Sequence, residues 1–277
     1  MTVLAATDIS AMPLWKVFTA SYTDHLLRYL LIGGLAFLFF YAWRRRRSWA
    51  PKIQPHYPPA KEMRREFFYS LISIGIFALT TVGIVVLKHF GYTRVYYNPG
   101  HHGWGYLALS ALALIFAHDA YFYWTHRLMH WGPMFPLVHR IHHLSHTPTP
   151  WAAFAFHPIE AVIQAAFFPI IAFVMPVHPL AALLWLLYMT LMNVLGHCGF
   201  EILPRGFANH WLSKWHNTTT HHDMHHRYVR FNYGLYFNLW DRLMGTNHSH
   251  YEAEFEQVKR QDVTATENLV PESRKPA

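Results

Sequence analysis

The sequence predicts an all-α integral membrane protein. About four to five membrane-spanning or hairpin helices would carry a histidine-rich helical cap on the cytoplasmic side. Three observations predict it. Charged residues make up 14% of the 277 positions and hydrophobic ones 53%, where a soluble chain carries about 25% charged. Long apolar runs recur along the chain. Histidine numbers 23, as many as lysine and arginine together.

The apolar runs come first. Residues 26–43 hold one charge, Arg28, and close with Arg44, Arg45, Arg46 and Arg47. Residues 67–87 hold none and end at Lys88. Crossing a bilayer takes about 20 helical residues, so both qualify. A third run begins near Tyr106 and reaches His118. A fourth and fifth, 159–175 and 180–195, are separated by Pro176 and Pro179 and read as a helical hairpin. Met1 to Ala20 lacks a basic leader and a cleavage site, which predicts an interfacial segment rather than a signal peptide.

Charge placement sets orientation. The net charge is +8, and a basic chain can serve nucleic acid or a membrane surface. Here the cations gather beside the apolar runs, which points to membrane lipids and to no nucleic acid. Residues 44–66 carry Arg44 to Arg47, Lys52, Lys61, Arg64 and Arg65, whereas 88–105 carry only Lys88 and Arg94. The basic loop is expected in the cytoplasm. Counting crossings onward, every dense histidine cluster falls on that same side.

Sixteen of the 23 histidines lie between His118 and His226. His126 and His130 are four apart, so on a helix both imidazoles share one face. His139, His142 and His143 have offsets of three and four. His222, His225 and His226 repeat that pattern, and Asn193 and His197 are again four apart. A solvated histidine-rich face has no reason to repeat these offsets, so they predict a metal site. Eight imidazoles exceed what one tetrahedral ion needs, which predicts two ions. Imidazole suits iron, zinc, copper or nickel. Only Asp119, Glu160, Glu201 and Asp223 are acidic between Phe67 and Trp240, too few for a carboxylate-built magnesium or calcium site. Cys198 stands alone, which excludes a disulfide framework and a thiolate zinc site.

An unactivated lipid C–H bond lies beyond ordinary acid–base groups and calls for a metal working with O2. A metal site at the bilayer boundary suits that task. The chain shows no dinucleotide fingerprint and no cysteine cluster for iron–sulfur, so electrons are expected from a partner. Two rivals use the same histidines: a metal-dependent membrane hydrolase or isomerase, and a metal transporter, which would be expected to carry polar residues near mid-span.

The boxes closely resemble the fatty acid hydroxylase and sterol desaturase superfamily. His118-Asp119-Ala120-Tyr121-Phe122-Tyr123-Trp124-Thr125-His126-Arg127-Leu128-Met129-His130 is similar to its first box. His139-Arg140-Ile141-His142-His143 is similar to the second, and His221-His222-Asp223-Met224-His225-His226 to the third. Asn232-Tyr233-Gly234 and the stretch from Trp240 to Thr246 resemble the segment that follows. Thr149-Pro150-Trp151 and the stretch from Ala155 to Glu160 resemble lathosterol oxidase, the sterol C-5 desaturase. His197-Cys198-Gly199-Phe200-Glu201 resembles methylsterol oxidases and cholesterol 25-hydroxylase.

The resemblance implies a membrane-bound non-haem enzyme with two iron ions and O2 as co-substrate, hydroxylating or desaturating a sterol or sterol-like lipid. A fatty-acyl or carotenoid hydroxylase is the alternative. Implied ligands are His126, His130, His139, His142, His143, His197, His222, His225 and His226, with His118 and Asn193 as weaker candidates. Asp119 and Asp223 would orient ligand imidazoles, and His157 would bond near the metals. Asp241 would be a structural anchor. The implied partner is a ferredoxin- or cytochrome b5-like carrier with its reductase. The expected organisation is N-terminal membrane helices and the basic loop at 1–105, a catalytic domain at 106–250 and a mobile cytoplasmic tail at 251–277.

Overall fold

The computed structural model describes residues 12–43 and 50–267. The Arg44 to Arg47 run and the last residues of the expected tail therefore lie outside the described residues. The described residues are helical throughout, apart from turns and isolated bridges. In chain order the helices are α1 (Leu14–Phe37, continued by a π-helical turn Leu38–Trp43), α2 (Ala60–His89), α3 (Gly103–Met129), α4 (Arg140–His143), α5 (Pro158–Ala165), α6 (Phe167–Val174), α7 (Pro179–Gly196), α8 (Thr219–Tyr228), α9 (Leu239–Leu243) and α10 (Tyr251–Glu267).

Among the described residues four helices are long and apolar enough to cross a membrane: Leu14–Trp43, Ala60–His89, Gly103–Met129 and Pro179–Gly196. The protein is a multi-pass membrane protein. Its outward faces carry Leu31, Leu35, Leu79, Leu109, Leu112, Phe116 and Leu184, all exposed. Such a surface suits lipid, and each helix meets its own backbone hydrogen bonds there.

The first span starts earlier than the apolar run suggests. α1 begins right after Pro13, and its buried residues Val17, Ser21, His25, Arg28, Tyr29 and Gly33 form a stripe at helical spacing. That stripe faces α2, where Ser21 Oγ donates to Thr81 Oγ1 at 2.9 Å. Arg28, buried in the stripe, is paired with Asp24 at 3.0 Å, as an intramembrane charge requires.

The fourth apolar run does not form one span. It breaks between α5 and α6, because Pro169 offers no N–H and its ring would strike the Ala165 carbonyl. α6 then packs with α3 and α7 around Leu107, Leu114, Phe167, Ala181 and Trp185.

The region from 251 differs from the mobile tail expected there. α10 buries Tyr251 and Phe255 against Ala208 and Met224. Apolar residues four apart give this charged helix a narrow buried stripe. Arg227 joins α8 to α10 by pairing with Glu254.

Candidate metal centre

Each histidine box stands on a helix end that packing fixes. His126 and His130 close α3, the latter as its last cap. His139 ends a π-helical turn, Phe135–His139, and His142 and His143 follow on α4. His197 caps the C-terminus of α7. His222, His225 and His226 lie on α8, which Thr218 opens by accepting from His221 N at 3.1 Å. The loop between α4 and α5 is moored to the first two spans. Tyr29 Oη and Ser70 Oγ both donate to the Trp151 carbonyl, at 2.8 and 2.9 Å.

The fold gathers these nine rings into two adjoining groups. His126, His130, His139, His143 and His225 form one, and His142, His197, His222 and His226 the other. Within each group, one potential ligand atom per residue lies within 4.8 Å of every other. The groups touch: the rings of His143 and His226 are 4.9 Å apart, and those of His139 and His142 are 5.2 Å apart. All nine are buried except His130, which is partly covered.

Proton placement within the groups shows what they fit. His126 Nδ1 donates to the Tyr233 carbonyl at 2.8 Å, so its Nε2 is a bare lone pair. His139 Nδ1 lies 2.7 Å from Glu160 Oε1, and its Nε2 stands 3.0 Å from that of His126. In the second group His197 Nδ1 donates to the Asn193 carbonyl at 2.7 Å, and His197 Nε2 is 2.9 Å from His222 Nε2. His225 Nδ1 donates to the Phe231 carbonyl at 2.6 Å, and its buried Nε2 has no partner. Nitrogens bound at ~2.1 Å to one ion stand about 3.0–3.4 Å apart in octahedral or tetrahedral order. The observed Nε2–Nε2 spacings run from 2.9 to 3.3 Å. The two groups are capable of binding metal ions.

Electrostatics agree. Burial first, and neighbouring imidazoles second, hold His139, His142, His143, His222, His225 and His226 well below the ordinary histidine value. Burial lowers His197 to about 4. The rings are therefore neutral at pH 7, the form that ligates.

Two backbone turns place the supporting carbonyls. Val229 and Asn232 adopt φ of 65° and 61°, a region costly for a β-branched residue. That turn swings Phe231 O onto His225 and leads to Tyr233 O on His126. At Gly234 a Cβ would meet the Phe237 carbonyl at 2.3 Å, so only glycine fits. Asp241 holds the turn, accepting from Tyr233 N at 2.9 Å and Gly234 N at 2.7 Å.

The remaining expected residues lie elsewhere. His118 Nδ1 bonds Tyr236 Oη at 2.8 Å and stays outside both groups. The Asn193 side chain donates to Ala153 O at 2.6 Å, and only its backbone carbonyl serves His197. Asp119 and Asp223 do not orient ligand rings. Asp119 accepts from Tyr236 N and Phe237 N at 3.0 and 3.1 Å, and Asp223 from Gln54 Nε2 and Arg227 Nε, each at 2.8 Å. His157 accepts from Ile159 N at 3.2 Å as the cap of α5. Among the described residues the carboxylate that lies against an imidazole of the two groups is Glu160, which the sequence reading did not assign. Its signal was present: an acid two residues after Pro158, at the head of an apolar run.

Residues 111–246 match the fatty acid hydroxylase family. The chain belongs to that family. Among its curated relatives, a Delta(7)-sterol 5(6)-desaturase of Gibberella zeae is 28% identical, over 79% of this chain and 65% of that protein. The lathosterol oxidase of Mus musculus is 31% identical, over 67% of this chain and 61% of that protein. A Delta(7)-sterol 5(6)-desaturase of Candida glabrata is 28% identical, over 94% of this chain and 67% of that protein. The chain thus spans less than two thirds of the length of the first two. No solved structure matches it. All nine histidines of this fatty acid hydroxylase family member lie within the matched residues 111–246.

Proposed function

We propose that the protein is a membrane-bound non-haem di-iron oxidase. It uses O2 and external electrons to hydroxylate or desaturate an unactivated C–H position of a sterol or sterol-like lipid. The position of one cavity carries this reading. A cavity of about 210 Å3 lies between the spans, and its walls include Phe122 and Phe156. The Phe122 ring is 4.9 Å from that of His126, and the Phe156 ring is 5.3 Å from that of His142. Those histidines belong to different groups, so the cavity ends one phenylalanine ring away from each group. Along α7 its lining runs from Asn193 to Pro179, a length of helix of about 21 Å. A long, apolar lipid suits such a space.

When bound, a pair of iron ions supplies the O2 chemistry that oxidises an unactivated C–H bond. The chain's residues prepare for it. The Tyr233, Asn193 and Phe231 carbonyls fix three rings in one tautomer, and Glu160 lies against a fourth, His139. Phe122 and Phe156 form the apolar wall between the cavity and the imidazoles and keep water from the reacting carbon. Hydroxylation consumes O2, two electrons and two protons and releases one water. Desaturation consumes the same reactants and releases two waters. The similarity to a sterol 5(6)-desaturase and a lathosterol oxidase supports a sterol and the removal of two hydrogens. The electrons come from a ferredoxin- or cytochrome b5-like carrier with its reductase, which the net charge of +8 favours if the carrier is acidic.

The test uses iron-loaded protein in lipid nanodiscs with a sterol and a chemical reductant. Mass spectrometry should show a gain of one oxygen or a loss of two hydrogens under O2 and no product under argon. Conversion that continues without O2 would contradict the proposal.

A further inference from the structure

Gln164 stands in the wall of the same cavity, on α5. Both heads of its amide, Oε1 and Nε2, are buried without a hydrogen-bond partner. Several other polar groups on the cavity wall are engaged. Ser21 donates to Thr81, Lys88 to the Val95 carbonyl and Asn193 to the Ala153 carbonyl, and His118 bonds Tyr236. An amide left unpaired in an apolar wall is unfavourable, so its retention calls for a ligand.

We propose that Gln164 recognises the polar group of the lipid by hydrogen-bonding a neutral hydroxyl or carbonyl. This rests on the reading of the cavity as the lipid site. A primary amide both donates and accepts, which matches a hydroxyl that does the same. Glu160 touches His139, and Gln164 lies one helical turn further along the same face of α5. Gln164 is a specificity-determining residue that places the lipid and takes no part in the redox step.

The test measures binding in the full-length protein in detergent, with no turnover. The probes are two matched pairs: 5α-cholestan-3β-ol against 5α-cholestane, and 1-octadecanol against octadecane. Wild type should prefer the alcohol of at least one pair by about tenfold or more. Gln164→Leu and Gln164→Met should bind alcohol and hydrocarbon equally, with metal content and thermal midpoint unchanged. Equal binding by wild type in both pairs, or a preference that survives in both variants, would overturn the assignment. Lipid conversion by wild type is scored separately. Its absence strikes the oxidase reading, whereas a surviving preference strikes Gln164 alone.

Discussion

The rings of His126 and His225 lie 4.5 Å apart, and each gives its Nδ1 proton to a backbone carbonyl, of Tyr233 and Phe231. Both Nε2 atoms are therefore bare lone pairs within one buried group, an arrangement that a shared cation converts from repulsion to binding.

Glu160 is expected to set the basicity and orientation of His139. Glu160→Gln should weaken metal binding about 10–100-fold, read by competition with a chelator of known affinity. Wild-type affinity in that variant would show that the contact is incidental.

The two groups should empty separately. His143→Ala removes a member of the first and His226→Ala a member of the second. Each variant should still insert, lose turnover and fall from about two metal ions per chain toward one, as counted by elemental analysis. Full metal content and full activity in both would remove the site assignment.

Acid should destabilise the metal-free protein and release metal from the loaded one. His197 falls to about 4, and His139, His142, His143, His222, His225 and His226 lie well below the ordinary value. Below about pH 6.5 the unfolded chain binds protons that the folded cluster refuses, so stability drops as the pH falls. Burial raises Glu160, Glu201, Asp223 and Asp241. Those four act in the opposite sense, gaining stability on acidification, but seven histidines outnumber them. The thermal midpoint should decline from pH 7.5 to 5.5, and metal retention should decline with it. A flat profile would contradict the neutral, buried cluster.

Filling the cavity should separate lipid binding from metal binding. Leu183 lines it and is only partly buried. Leu183→Trp should keep both metals and the thermal midpoint while turnover of a sterol drops about tenfold or more. Equal turnover would show that the substrate lies elsewhere.

Much of this architecture was legible in the sequence. Histidines repeating at three and four mark one face of a helix regardless of what packs against it. All nine of the implied ligand positions are found in the two groups. Apolar length was equally local, although Pro169 divides the fourth run and α1 starts at Leu14, before the run becomes continuous. What stayed hidden depends on contacts between distant segments. Asp119 and Asp223 sit beside histidines in the chain, but their carboxylates turn to backbone amides and to Arg227. Glu160 reaches His139 because the α4–α5 loop doubles back over the site. Such a return leaves no periodic trace in either segment. α10 is similar: its short apolar stripe acquires meaning only against Ala208 and Met224.

The most direct test of the dinuclear, all-imidazole centre is iron K-edge X-ray absorption on the loaded, full-length protein, paired with metal stoichiometry. The account predicts about two irons per chain, a first shell of nitrogen and oxygen near ~2.1 Å with imidazole multiple scattering, and no sulfur shell near ~2.3 Å. A single iron per chain, or a spectrum without the imidazole signature, would contradict it.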